Sequence, residues 1–203
     1  MTDQHTTPAR PPLREDRARH RQAILAAATA LFAAQGFRAT TMQAIAARAG
    51  VSVGYLYKHF ASKDDIFAAI LAGHLDRINE LIAEVQQRAL PPLTELRATL
   101  DVIAHHFNRN RDFMRIYHDN LDAVLEQSYD EKANHRRLLI ANLVLAHAHG
   151  ELRACDVELV ASAILGASRE LFLALAKRND DNPFTEMPNF LFSLLIDPLR
   201  TSP

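Results

Sequence analysis

The 203 residues are 48% hydrophobic with a formal charge of −1, an ordinary globular balance that excludes a fibrous or low-complexity chain and gives no overall sign of a polyanion partner. One cysteine, Cys155, excludes an internal disulfide framework and fits a reducing compartment. Charge is uneven, however: residues 1–64 hold 9 Lys and Arg against 4 Asp and Glu, and the remainder holds 14 against 20. A basic first third on an acidic body suggests a polyanion partner for that third alone.

Residues 1–13, with Pro8, Pro11 and Pro12 among small polar residues, read as a disordered tail. The string RARHRQAILAAATALFAA resembles the basic and apolar parts of a secretion signal, but Ile24, Leu31 and Phe32 fit one face of a helix. No apolar run approaches the roughly 20 residues a membrane helix needs. The expected location is therefore the cytoplasm, with no membrane partner.

From there the helical pattern hardly stops. A first helix is expected from about Arg14 to Gln35, stopped by Gly36. Thr40 or Thr41 caps a second, Met42 to Ala49, which ends at Gly50; Ser52 caps a third, Val53 to about Phe60. Ser62 caps a fourth running towards Ala89, with Asp64 and Asp65 suiting its positive N-terminus. Leu93, Leu96, Leu100, Ile103 and Phe107 form the apolar seam of a fifth. Phe113 to about Leu125, Glu131 to His149, Asp156 to Lys177 and a short segment after Thr185 complete about nine helices and no sheet.

Gly50-Val-Ser-Val-Gly54 fits G-x-S-x-G, the turn that presents a nucleophilic serine in α/β-hydrolases. That turn needs a strand before the serine and a parallel sheet beneath it. The preceding TTMQAIAARA is alanine-rich and helical, so Ser52 is expected to start a helix. Read as helix–turn–helix, Ile45, Ala46 and Ala49 face inward, Gly50 makes the turn, and Val51, Leu56 and Phe60 seat the second helix on the first. Left exposed are Val53, Gly54, Tyr55, Tyr57, Lys58 and His59, which can touch bases and phosphates.

The stretch TTMQAIAARAGVSVGYLYKHFASKDDIFAAIL, with LFAAQGF before it, resembles the DNA-binding segment of the tetracycline-repressor (TetR) family of bacterial transcription regulators. The resemblance runs from about residue 20 to 72; beyond it only the helical layout agrees. It implies an all-α fold: a DNA-binding domain at 14–62 and a larger ligand-binding and dimerisation domain at 63–203. It further implies that Val53, Gly54 and Tyr55 approach base edges beside the cap Ser52, while Thr41, Tyr57, His59 and Lys63 hold phosphates of double-stranded operator DNA, with Lys58 a further DNA-binding candidate. Val53 and Tyr55 favour thymine-methyl and shape reading over a rich hydrogen-bond code.

In the body, Val160, Ile164, Ala167 and Leu171, with Leu191 and Leu195, form a stripe that suits either an internal core or a subunit seam; the resemblance favours a homodimer. Candidates for holding a largely apolar small molecule are His106, Phe107, Phe113, Met114, Tyr117 and His118 on the middle helices, and Asn142 and His149 on the long one. Ten histidines invite a metal, but His105-His106 and His147-x-His149 lack the i, i+4 spacing of a helical site, so no metal or cofactor is expected. The expected function is a repressor released from DNA by its ligand. A helical enzyme using Ser52 or Cys155, and a ligand-independent architectural DNA binder, are the alternatives.

Overall fold

The computed structural model describes residues 13–119, 129–176, 178, 180 and 182–201. Among them it forms nine α-helices: α1 (Leu13–Gln35), α2 (Met42–Ala49), α3 (Val53–His59), α4 (Lys63–Gln86), α5 (Pro92–Arg109), α6 (Arg111–Asp119), α7 (Tyr129–Ala148), α8 (Val157–Ala176) and α9 (Met187–Leu191). A wide π turn, Phe192–Ile196, and a 3-10 turn, Asp197–Leu199, extend α9. No strand forms among the described residues; Leu152 and Arg200 make one antiparallel bridge, flanked by Arg153 N to Leu199 O at 2.9 Å. The class is all-α. Residues 1–12 of the expected tail, the end of the sixth helix beyond Asp119, and the side chain of His118 lie outside the described residues, and the tail's last residue, Leu13, begins α1.

Two compact units are present, Met1–Ile70 and Leu71–Pro203, dividing within α4. In the first, each helix end is closed by a particular side chain or glycine. Gly36 stops α1 at φ +84°, and its amide donates to Phe32 O at 2.9 Å. Thr40 is buried; its hydroxyl donates to Gly36 O at 2.9 Å and accepts from Gln35 Nε2 at 3.2 Å. The cap of α2 is therefore Thr41, whose Oγ1 accepts from Ala44 N at 3.2 Å. Gly50 takes the left-handed φ of +69° that ends α2. Its own amide and that of Val51, the latter at 3.1 Å, return to the last carbonyls of the helix.

Ser62 and Asp65 cap α4 reciprocally, Oγ accepting from Asp65 N at 3.1 Å and the carboxylate accepting from Ser62 N at 3.0 Å. Inside, Ile24, Phe32, Ile45, Leu56, Ile66 and Phe67 are at most 3% exposed. Each contributes about 1.5–3 kcal/mol relative to the exposed side chain.

The second unit closes around Leu93 and Leu96 of α5, Leu139 and Leu143 of α7, Ile164 of α8, and Phe192 and Ile196 of the C-terminal turns. Two sequence expectations change here. Ile164 and Leu191, placed on a subunit seam, are 3% and 1% exposed inside their own unit. Val160, Ala167, Leu171 and Leu195 of the same stripe are half-buried, and about a quarter-turn away α8 exposes Leu159, Ala163 and Gly166. Secondly, α8 is long and apolar enough to cross a membrane by length and composition, although no such segment was expected. Its glycine, serines and alanines dilute the apolar run without making it polar.

Candidate nucleic-acid interface and a second polar cluster

Ser52 begins α3 by accepting from Tyr55 N at 3.1 Å, so its hydroxyl is a cap. The buried side of this seven-residue helix is Leu56, with Phe60 following in extended conformation. Ser52, Val53, Gly54, Tyr57, Lys58 and His59 are all exposed, as is the cap Thr41. A Cβ built on Gly54 meets nothing within 4 Å, so packing inside the chain does not require the missing side chain.

Tyr55 differs from its neighbours. It is half-buried, its ring 5.2 Å from His20 of α1 and 4.7 Å from His59. Its body therefore braces α3 against α1. This brace was not legible in the sequence, because His20 sits in a run of charged residues that reads as solvated surface.

Lys63 also has partners within the chain. Its ammonium donates to the carbonyls of Phe37 at 2.8 Å, Arg38 at 3.1 Å and Thr40 at 3.2 Å, and lies 4.6 Å from the centroid of the Phe37 ring. A lysine has three donors, and all three are committed to the α1–α2 turn. Lys63 thereby locks the loop that leads into α2. Phe37 in turn packs between Phe32, tilted at 5.0 Å, and Phe67, edge-on at 5.7 Å.

The second unit holds a different kind of cluster. His74 of α4 and His106 of α5 share a hydrogen bond, Nδ1 to Nε2, at 3.1 Å. The His74 ring stacks on Phe113 at 3.7 Å, and Phe113 meets Tyr117 edge-on at 5.9 Å. On the other side, His106 contacts Phe107, which continues to Phe172 and Phe184. Burial, with the neighbouring His106, lowers the His74 pKa from 6.5 to about 4. Burial and then the Arg77 charge lower that of His106, and burial raises the Tyr117 phenol against the opposing pull of Arg169. All three groups are neutral near pH 7.

Four of the expected ligand residues, His106, Phe107, Phe113 and Tyr117, thus come together, and Met114 is buried on the same helix as the last two. Asn142 does not join them: its amide donates to Glu95 at 3.0 Å and ties α7 to α5. His149 is exposed beyond the end of α7. Their i, i+7 spacing matched a helix face, but that face is not turned to the aromatic groups. Missed from the sequence were His74, Phe172 and Phe184, which lie on other elements and meet the rest only through the fold.

Similarity to known proteins agrees with this division. The family model described as bacterial regulatory proteins, tetR family, matches residues 24–70, from mid-α1 to the end of the first unit. The HTH-type transcriptional repressor KstR2 of Mycobacterium tuberculosis is 33% identical over 147 residues, spanning 68% of this chain and 72% of that protein. The HTH-type transcriptional activator FasR of Mycolicibacterium smegmatis is 31% identical over 103 residues, 51% of this chain and 47% of that protein. The solved structure of the ketosteroid transcriptional regulator KstR2 of Mycobacterium tuberculosis matches with a TM-score of 0.72 at 25% identity, covering 90% of this chain and 95% of that one. The chain belongs to the TetR family of bacterial transcription regulators.

Proposed function

We propose that this regulator is a homodimeric repressor that reads operator DNA with α3 and releases it when a small molecule occupies the second unit. The observation that carries the reading is the outer face of α3. Its caps and inner side are accounted for within the chain, whereas Val53, bare Gly54, Tyr57 and Lys58 are exposed without a packing role, and His59 is exposed with one side of its ring on Tyr55. Gly54 lets backbone approach the base edges, with Val53 against a thymine methyl. Thr41, Tyr57, Lys58 and His59 supply hydroxyl, ammonium and imidazole donors to phosphates. Lys63 and Tyr55 act at one remove, by fixing the α1–α2 turn and the seat of α3.

One such module grips DNA weakly, and two reading half-sites about 34–36 Å apart remedy that. The dimer face supported by exposure is Leu159, Ala163 and Gly166 of α8 with Phe190 and Leu194, rather than Ile164 and Leu191. Leu159 is 67% exposed and Leu194 55%, an expensive surface for a lone subunit. This use of α8 also accounts for its apolar length without a bilayer.

Ligand control requires a molecule that binds better to the subunit conformation unable to match two successive grooves. The aromatic cluster around His74 and His106 is the candidate receptor. Binding to duplex DNA flanking the protein's own gene, compared with unrelated DNA across a salt series, tests the reading. Selective binding with a steep salt slope, weakened in Tyr57→Ala, is expected; equal and feeble binding to both DNAs, together with no enrichment from random duplexes, would overturn it.

A further inference from the structure

The hydrogen-bond chain at the second cluster fixes which atoms carry protons. Asn110 Nδ2 donates to the His106 carbonyl oxygen at 2.7 Å. A carbonyl only accepts, so the amide orientation is set: the reverse placement would put two oxygens in contact. The other hydrogen of the same Nδ2 lies towards His106 Nδ1 at 3.5 Å, which makes Nδ1 an acceptor. His106 therefore bears its proton on Nε2 and donates it to His74 Nδ1 at 3.1 Å. His74, accepting there, carries its own proton on Nε2. That N–H has no partner among the described residues.

Two further polar groups stand unpaired nearby. The Tyr117 hydroxyl makes no hydrogen bond among the described residues, although its ring touches Phe113. Ser168 Oγ is fully buried with no partner, one turn before Phe172 on the same face of α8. A helical serine ordinarily satisfies itself on the carbonyl four residues back, and an orphaned buried hydroxyl costs about 1–3 kcal/mol. The nearby cations have acidic neighbours of their own: Arg77 bonds Glu80 at 2.7 Å and Glu84 at 3.3 Å, and Arg169 lies 3.9 Å from Glu170.

The geometry points to a specific effector class for this cluster: an uncharged, flat, largely apolar molecule carrying a carbonyl oxygen, which accepts from His74 Nε2–H while its ring system lies against the half-buried Phe107 and Phe172. This rests on the reading of the second unit as the ligand-binding body. A carboxylate would exchange its hydration for neutral donors, with the Arg77 and Arg169 charges already shared with Glu80, Glu84 and Glu170, and an ammonium would face the N–H as a second donor, so both are selected against.

The test uses the full-length protein at pH 7.5 with three probes of one skeleton: 2-acetylnaphthalene, 2-naphthoate and naphthalene, each titrated by calorimetry. The ketone is expected to bind about three- to tenfold tighter than naphthalene, the worth of one neutral hydrogen bond. The carboxylate is expected to bind more weakly than the ketone. His74→Phe should bring the ketone down to the naphthalene level, and His74→Gln, which keeps a donor, should restore part of the difference.

Tighter binding of 2-naphthoate, a ketone preference unmoved by His74→Phe, or no binding of any probe overturns the assignment. Operator binding by the same protein without probes, and by both variants, is measured in parallel. Intact operator binding with failed probe selectivity sinks the effector class alone, whereas loss of sequence-selective operator binding in the unmodified protein sinks the regulator reading beneath it.

Discussion

The two units use polar side chains in opposite ways. In the first, nearly every polar group near a helix end has a partner inside the chain: Thr40, Thr41, Ser52, Ser62, Asp65 and Lys63 all close backbone groups. In the second, His74 Nε2, the Tyr117 hydroxyl and Ser168 Oγ are left open beside aromatic rings. Full satisfaction fixes one conformation, which suits a rigid reading head. The buried Ser168 Oγ carries a standing cost that an effector can relieve, and His74 Nε2 and the Tyr117 hydroxyl, which are not fully buried, keep donors free for one, which suits a unit whose state must change.

That contrast can be broken first at the subunit face. Leu159→Glu should turn the dimer into monomers in analytical ultracentrifugation and lower operator affinity by about a hundredfold or more, since one half-site remains. Ile164→Ala, by contrast, removes core contacts and should cost about 2–5 kcal/mol in urea unfolding. If Ile164→Ala dissociates the dimer without loss of subunit stability, the face has been placed on the wrong side of α8.

The next distinction is between lysines. Lys63→Met should cost about 1–3 kcal/mol of stability, because three carbonyls lose their donor, and should leave the salt slope of operator binding unchanged. Lys58→Ala should leave stability within about 0.5 kcal/mol and lower that slope by about one. An exchange of these two phenotypes would return Lys63 to the DNA.

Gly54→Ala separates reading from folding more finely. It should stabilise α3 by a few tenths to about 1 kcal/mol, through helix propensity, yet weaken operator binding about tenfold by holding the backbone away from DNA. The second unit has its own signature in acid. The folded state keeps His74 neutral down to about pH 4, whereas the unfolded chain protonates it below its ordinary 6.5. The unfolded state thus binds the extra proton between those values, so stability should fall as pH drops from 6.5 towards 4. His74→Phe should flatten that decline in urea midpoints measured at pH 7.5, 6 and 5.

The smallest expected effect lies at Ala89, which ends the α4 segment at φ +48° without being glycine. Ala89→Gly should raise stability by about 0.5–1 kcal/mol.

The first unit was largely legible in the sequence for the same reason that it is rigid. Its caps and turns are local, so Thr41, Gly50, Ser52 and Ser62 could be placed from their immediate neighbours, and the exposed face of α3 followed from Leu56 and Phe60. What stayed hidden there was long-range: Lys63 reaches carbonyls 23 to 26 residues back, and Tyr55 packs on a histidine 35 positions earlier. In the second unit most of the chemistry is of that kind. His74 and His106 are 32 residues apart and Phe107 and Phe172 are 65 apart, so periodicity could mark stripes but not which stripes would meet. The same limit exchanged core for subunit face at Ile164 and Leu191.

The central claim, a paired reading head built on α3, is tested most directly by selecting bound sequences from random duplex DNA with the full-length protein. Enrichment of an inverted repeat whose half-site centres lie one helical turn, or a multiple of it, apart is expected, and its loss in Gly54→Ala and Tyr57→Ala. Enrichment of a single unpaired half-site, or of no sequence at all, would contradict it.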